Sequence, residues 1–117
     1  MLNMTGTKVH LAVNAVDFRK QIDGLCIIVT ESFKLDAFSQ ELFVFCNKSR
    51  NKVKALRWDG TGFWLYLKRL EKGKFKWPEA KGSRVMEISE RELRWILDGL
   101  TLNQPKAHKQ VTERAII

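Results

Sequence analysis

Apolar residues recur at helical spacing in the first third of the chain. Between positions 18 and 33 they fall every three or four residues, which places them on one helical face. Asp17 precedes them and is a good N-cap for a first turn, and we expect Arg19 and Lys20 to pair with Asp23. The face consists of Phe18, Ile22, Leu25, Cys26, Val29 and Phe33. The pattern predicts a helix that begins at Asp17 and ends near Phe33.

The second predicted helix has clearer boundaries than the first. Ser89 and Glu92 have the S-x-x-E spacing of a capping box, in which each side chain bonds to the backbone amide of the other residue. Ile88 and Leu93 have the spacing of a hydrophobic staple across the same helix start. The buried face consists of Leu93, Ile96, Leu97 and Leu100. Gly99 marks the C-cap of this helix.

Four segments have strand patterns, and a fifth is a candidate. Residues 42–46 are apolar at every position, so that strand must be covered on both faces and lies centrally in its sheet. The glycines of DGTG, at 59–62, supply the positive φ angles of a tight hairpin turn. Residues 75–77 form a short arm that Pro78 ends. The four strands are residues 8–13, 41–46, 52–58 and 63–70, and the fifth candidate is residues 84–88.

The order of strand, helix, strands and helix predicts an α+β domain. We expect a small, mainly antiparallel sheet of four to five strands packed by two main helices, with one or two helices covering one face. The domain spans residues 1–100, and residues 101–117 form a tail that is flexible or weakly docked. The first 13 residues lack a signal-peptide pattern, and no run reaches the roughly 18 apolar residues of a membrane span. We therefore expect a cytoplasmic protein without a membrane partner.

The positive charge of the chain is concentrated in one segment. The net charge of the 117-residue chain is +8. Residues 48–76 contain ten Lys and Arg against Asp59 and Glu71, which accounts for the whole excess. A concentrated basic block indicates a surface that faces a polyanion such as nucleic acid. The ten candidate contact residues are Lys48, Arg50, Lys52, Lys54, Arg57, Lys68, Arg69, Lys72, Lys74 and Lys76.

The aromatic residues of this block allow two interpretations. Alternation along the fourth strand puts two sets of side chains on opposite faces. Trp64 and Tyr66, which share a face with Lys68, are candidates for stacking on bases. The alternative is a plain sheet in which Phe75 and Trp77 complete the core while the lysines meet solvent. The core-like set of the fourth strand is Phe63, Leu65, Leu67 and Arg69.

The residues indicate no catalytic, metal or cofactor site. His10 and His108 have no sequence neighbour that would orient a general base. Cys26 and Cys46 lack the CxxC spacing of a zinc site and lie in apolar runs, as reduced, buried thiols do. Neither a G-x-S-x-G motif nor a glycine-rich phosphate loop is present. Sequence does not exclude convergence in space of four carboxylates, those of Asp17, Asp23, Asp59 and Glu71.

Three segments contain motifs that occur together in a known family. Residues 16–25 contain D-x-R-K-x-x-D-G-L, and residues 42–78 contain L-F-x-F, K-x-L-x-W-D-x-x-G and K-R-L-E-x-G-x-F-x-W-P. The third segment, residues 88–100, reads ISERELRWILDGL. In this order they resemble TnpB, the small accessory protein of bacterial insertion sequences of the family numbered sixty-six. At Arg57, family members more often have an apolar or aromatic residue.

The resemblance implies a non-catalytic accessory protein of transposition, not an enzyme, that acts with the DDE-type transposase of the same element. Two molecular roles stay open at this point. In the first, the ten cations contact DNA phosphates, which gives affinity without sequence choice. In the second, the protein is an adaptor that docks on the transposase without touching nucleic acid. Neither role fixes the oligomeric state.

Overall fold

The computed structural model describes residues 6–99, which fold into five strands and two helices. In chain order these are β1 (Val9–Ala12), α1 (Ile22–Ile27), β2 (Leu42–Cys46), β3 (Lys52–Trp58), β4 (Phe63–Arg69), β5 (Val85–Ile88) and α2 (Glu90–Leu97). A π-helical turn, Ile28–Ser32, continues α1 directly. All five predicted strands are present, each within one residue of its expected bounds. Neither helix in this part of the chain is long and apolar enough to cross a bilayer.

The strands form one sheet in the order β4-β3-β2-β1-β5. β1 and β2 are parallel and are joined by the crossover that contains α1, while the other neighbouring strands are antiparallel. β2 lies at the centre, and all five of its residues are buried. The α+β class and the central position predicted for residues 42–46 are therefore confirmed.

The two helices pack on opposite faces of the sheet, so the expectation of one covered face is wrong. On one face, Leu25 of α1 lies in the same apolar cluster as Phe43 of β2. On the other face, Leu93 of α2 lies in a cluster with Val44. Because successive strand residues project to opposite sides, an all-apolar β2 needs cover on both. One helix on each face satisfies that need.

The first helix begins later than its apolar spacing predicts. α1 starts at Ile22, after Gln21, whose side chain makes no capping hydrogen bond. Asp17 instead accepts hydrogen bonds from the amide of Arg19 (2.9 Å) and from its guanidinium Nη2 (2.6 Å). The predicted N-cap at Asp17 is therefore wrong, and Arg19 pairs with Asp17 rather than with Asp23.

A buried lysine explains the late start of α1. The Lys54 ammonium of β3 donates to the carbonyl oxygens of Phe18 (3.0 Å) and Lys20 (2.9 Å). In a helix those two carbonyls would accept from amides one turn further on. At residues 18–20 the chain stays outside the helix and these carbonyls bond to Lys54 instead, although Phe18 still packs against the α1 side of the core.

The start of α2 follows its sequence signals. Ser89 is the N-cap, and its hydroxyl accepts from the Glu92 amide (3.1 Å). The Glu92 carboxylate accepts in return from the Ser89 amide (2.8 Å). Ile88 and Leu93 are both buried in one apolar cluster, as the hydrophobic staple predicts. The capping box is confirmed.

The end of α2 also agrees with the sequence. Gly99 directly follows the C-cap residue Asp98 and has a φ of 86°, a left-handed conformation that glycine adopts without strain. Leu100, expected on the buried face, lies outside the described residues. The tail predicted at 101–117 also lies outside them, so the division at residue 100 stays a prediction.

Candidate nucleic-acid interface

The basic block folds onto one end of the sheet. β3 begins and β4 ends there, with Lys52 directly opposite Arg69. The turn before β3 and the segment after β4 meet through a hydrogen bond from the Leu70 amide to the Asn51 carbonyl (2.8 Å). Cations that are far apart in sequence therefore lie at the same end of the molecule.

Residues 70–77, which we call the strap, cross this end of the sheet from β4 towards β1. The Phe75 amide donates to the Arg50 carbonyl (2.7 Å), and the Trp77 indole Nε1 donates to the carbonyl of Ala12, the last residue of β1 (2.8 Å). Phe75 is buried, and Trp77 packs against the same core cluster. These two residues therefore complete the core. The exposed residues that alternate with them are Lys72, Lys74 and Lys76.

Six exposed cations form what we call the basic end. Half-buried Lys52 lies among them. Arg69 pairs with Glu71 (2.9 Å between Nε and Oε2), but both side chains are exposed, and such pairs contribute little to stability. Within residues 6–99 the other five form no ion pair. The surface therefore presents a positive potential to solvent. Its members are Lys48, Lys68, Arg69, Lys72, Lys74 and Lys76.

Lys54 belongs to the basic block in sequence but not to this surface. The residue is only 6% exposed, and its ammonium lies 4.9 Å from the centroid of the Phe18 ring. Burial lowers the pKa of Lys54, and the nearby charge of Lys52 lowers it further. With its hydrogen bonds given to backbone carbonyls, Lys54 is a structural cation.

Arg50 is also turned towards the protein. It has a φ of 60° in the turn between β2 and β3. Its guanidinium carbon lies 5.7 Å from the centroid of the Trp77 ring, close enough for a cation–π contact. Its Nη1 atom is buried without a hydrogen-bond partner among the described residues. Arg50 therefore holds the strap against the turn.

Arg57 and the two candidate stacking residues lie towards the other end of the strands. Arg57 is opposite Trp64, one pair from the β3–β4 turn, and its Nε donates to the Gln40 carbonyl (3.3 Å). Trp64 is 54% exposed and stacks on Tyr66 with 5.9 Å between ring centroids. Tyr66 is half-buried against the core. The four residues from Trp64 to Lys68 span about 13 Å of strand, so Trp64 is separate from the basic end, whereas Tyr66 lies two residues from Lys68 on the same face.

Asp59 organises the turn beside Trp64. Its carboxylate accepts from the amides of Thr61 and Gly62 (2.9 Å each) and from the Trp64 indole (2.8 Å). These hydrogen bonds, led by that of the Thr61 amide, lower the pKa of Asp59 to about 2. Asp59 and Glu71 lie at opposite ends of β4. Within residues 6–99, no group of three or more His, Cys, Asp or Glu side chains is placed to hold a metal ion.

Three aromatic residues beside the β3–β4 turn form a cluster that the sequence did not predict. Phe38 is 58% exposed and packs edge-on against Trp58, with 4.9 Å between centroids. Phe63 contacts both rings, at 5.3 Å from Phe38 and 4.9 Å from Trp58. Phe38 comes from the loop before β2, and only the folded sheet brings that loop to the hairpin. We call these three residues the aromatic cluster.

A histidine pair was also missed. His10 is 7% exposed, and its Nε2 lies 2.6 Å from the Glu41 carboxylate. Its ring stacks on Phe43 at 5.1 Å. The pairing of β1 with β2 creates this contact between residues 31 positions apart, a distance over which no local motif operates. His10 is thus a partnered core residue.

Comparison with known proteins identifies a family and two relatives that the chain matches in sequence. A family model described as "IS66 Orf2 like protein" matches residues 7–107. Uncharacterized protein y4hO of Sinorhizobium fredii (strain NBRC 101917 / NGR234) is 34% identical over 99 residues, which cover 85% of this chain and 85% of that protein. Uncharacterized protein y4jC of the same strain is 32% identical over 101 residues, or 86% of each chain. No solved structure matches the chain significantly.

Proposed function

Since this chain belongs to the IS66 Orf2-like family of transposition-associated proteins, we propose that it is a non-catalytic accessory protein that binds DNA through the basic end. Its partner in transposition is the DDE-type transposase of the same element. The match of the family model over residues 7–107 supports the resemblance seen in the motifs. The molecular role rests on the surface described above.

The observation that carries this proposal is the convergence of six exposed cations on one end of the sheet. Lys and Arg side chains at such a surface bind phosphates and release the counterions condensed on DNA. These six cations together with half-buried Lys52 make seven phosphate contacts to duplex DNA, which give a slope of about −6 when log affinity is plotted against log salt. Phosphate contacts carry no sequence information, so we expect binding without sequence preference.

The contact set is smaller than the basic block. Lys54 is buried, Arg50 is turned towards Trp77, and Arg57 lies near the far end of β3. Lys68 stays in the set because its side chain is exposed, although its ammonium donates to the Leu97 carbonyl (3.0 Å). The proposed set keeps Lys52 beside the six members of the basic end. Trp64 is left out because about 13 Å of strand separates it from Lys68, and Tyr66 because it is half-buried against the core.

A salt titration with duplex and single-stranded DNA tests the proposal. Changing Lys72, Lys74 and Lys76 to Glu should weaken binding at least tenfold at low salt and make the salt slope shallower by about 3. Exposed cations outside the basic end supply a control with the same change of net charge, namely Lys8, Lys34 and Arg91. Equal loss in both triple variants, or no binding of the wild type at about 50 mM salt, would refute the role of the basic end.

The aromatic cluster favours the second candidate, an adaptor that docks on the transposase. Exposed aromatic side chains are enriched at protein interfaces, and Phe38 of this cluster is 58% exposed. Trp64, which is 54% exposed, lies at the same end of β4 but on its opposite face. This surface lies at the end of β4 opposite the basic end. If the protein is an adaptor, Phe38→Ala with Trp64→Ala abolishes co-purification with the transposase, and the strap triple variant retains it. The reverse result would assign the partner to the basic end.

A further inference from the structure

One edge of the sheet carries an open row of backbone hydrogen-bonding groups. β4 is an outermost strand, and within residues 6–99 no strand pairs with its outer side. Hydrogen bonds run from the Asp59 amide to Gly62 and from the Leu70 amide to Asn51. These two bonds show which pairs of the β3–β4 ladder are hydrogen-bonded. Because hydrogen-bonded pairs alternate in an antiparallel ladder, alternate residues of β4 direct their amides and carbonyls outward. These residues are Phe63, Leu65, Leu67 and Arg69.

The side chains along this edge are unusually apolar for an open strand. Trp64 is 54% and Leu67 61% exposed, whereas a solitary edge strand is commonly protected by charge or proline. An open groove of about 660 Å³ runs beside the edge between the sheet and α2. Tyr66, Leu67, Leu93 and Leu97 are among its lining residues. Such an edge, with a groove beside it, offers a surface to another strand.

The distribution of charge on β4 limits which strand fits. Its cations, Lys68 and Arg69, are at one end, and its aromatic residues, Phe63 and Trp64, are at the other. The Asp59 carboxylate also lies at the aromatic end, bonded to the Trp64 indole. An antiparallel copy of the same strand would bring cations to aromatic rings and to this carboxylate. A parallel copy would set Lys68 beside Lys68 and Arg69 beside Arg69, which repel each other.

We propose that β4 pairs with β4 of a second copy of this chain, around a two-fold axis at Tyr66, to form one continuous ten-stranded sheet. In this register Leu65 pairs with Leu67, Phe63 with Arg69, and Trp64 with Lys68, so all seven residues of β4 are used. The outward amides and carbonyls then form roughly eight interchain hydrogen bonds. Trp64 meets Lys68 in a cation–π contact.

The pairing also covers the open groove. Residues paired across an antiparallel ladder project to the same face, so Tyr66 of the second copy lies beside Tyr66 at the mouth of the groove. The other edge of the sheet offers no equivalent, since β5 has four residues and its exposed Glu87 points from the middle of the strand. The β4 edge is thus the self-complementary one.

Sedimentation of the full chain over a range of concentrations tests whether the dimer forms. A single strand pair is a small interface, so we expect a reversible dimer with a dissociation constant in the micromolar range. Leu67→Pro removes an outward amide that makes no bond within the protomer, and proline is tolerated at such edge positions. We expect it to raise the dissociation constant at least tenfold. Circular dichroism shows whether the variant is folded.

Disulfide cross-linking tests the register and does not depend on the proline variant. In a Cys26→Ala background, Tyr66→Cys should cross-link to itself, because facing Cα atoms in a non-hydrogen-bonded pair are about 4.5 Å apart, within disulfide range. Trp64→Cys and Lys68→Cys should cross-link to each other when mixed, and neither should do so alone. A monomer at every concentration without Tyr66→Cys cross-linking would overturn the proposal. Self-cross-linking of Trp64→Cys, or docking of a different protein on this edge in place of a second copy, would do so too.

Discussion

At the scale of single residues, the basic block contains cations with different tasks. Lys54 and Lys52 are two positions apart and share a face of β3, but one is buried and the other half-exposed. The sequence shows a charge at each position and cannot show which ammonium meets buried carbonyls, since Phe18 and Lys20 are more than 30 positions away. Alternation does not separate them, because Lys52, Lys54 and the core residue Leu56 all share one face of β3.

Replacing Lys54 should destabilise the fold without removing a DNA contact. Lys54→Met keeps most of the aliphatic stem but leaves the carbonyls of Phe18 and Lys20 without their donor, which should cost roughly 2–3 kcal/mol of the free energy of unfolding. Urea denaturation measures the loss. Lys52→Met, on the same strand, should change stability by less than about 0.5 kcal/mol while weakening DNA binding. If Lys54→Met weakened DNA binding as much as Lys52→Met while remaining folded, its structural role would be refuted.

Asp59 predicts an acid-sensitive step in stability. Its pKa is lowered from an ordinary 3.8 to about 2 by the bonds it accepts in the turn, so the folded state favours the charged carboxylate. The stabilisation is complete above the ordinary pKa and is lost as the pH falls from about 4 towards 2. Asp59→Asn should therefore make the melting temperature less dependent on pH in that window, and it should destabilise the protein at neutral pH. Glu79→Gln is the control, because the exposed Glu79 carboxylate makes no hydrogen bond or ion pair within residues 6–99. An unchanged slope in Asp59→Asn would contradict the assignment.

At the scale of elements, the predictions were correct where residues close together in sequence determine the structure. The capping box and staple place α2, and the all-apolar run places β2 at the centre, because these features act within a few residues. The start of α1 was predicted wrongly, because the carbonyls of its first predicted turn bond to a residue of β3 that is distant in sequence. The prediction that the helices cover one face was also wrong, although the all-apolar run of β2 already required cover on both faces. Which helix lies on which face depends on the parallel crossover between β1 and β2. The sequence predicted the concentration of positive charge, but only the fold shows which of these cations are exposed at the basic end.

The capping box at the start of α2 should make a measurable contribution to the free energy of unfolding. Ser89→Ala removes the acceptor of the Glu92 amide and should lower the free energy of unfolding by about 1 kcal/mol. Ser89→Asp supplies another good N-cap and should restore most of the loss. Thermal or urea denaturation distinguishes the two variants. Equal destabilisation by Ala and Asp would mean that the hydroxyl acts through something other than the cap.

At the scale of the whole molecule, the three-layer packing decides which surfaces meet partners. Within residues 6–99 the helices cover both faces of the sheet, and this part of the chain leaves the ends of the strands and the β4 edge open. Within one protomer the basic end and the aromatic cluster occupy opposite ends of β4, and the antiparallel dimer would bring each basic end beside the aromatic end of the second copy. The β4 edge lies between them and offers the place for a second copy.

The proposed dimer and the proposed DNA contact together predict that one particle binds two DNA molecules. A two-fold axis at Tyr66 makes the two β4 strands antiparallel, so the two basic ends point in opposite directions and lie on the order of 20–25 Å apart.

Fluorescence energy transfer between duplexes that carry different dyes measures such bridging. The wild type should give transfer that disappears at high salt, and Leu67→Pro should lose transfer while each protomer still binds one duplex. The strap triple variant should lose both signals. Transfer that persists in a monomeric Leu67→Pro protein would show that a single protomer holds both duplexes, and the opposed basic ends would then be the wrong explanation.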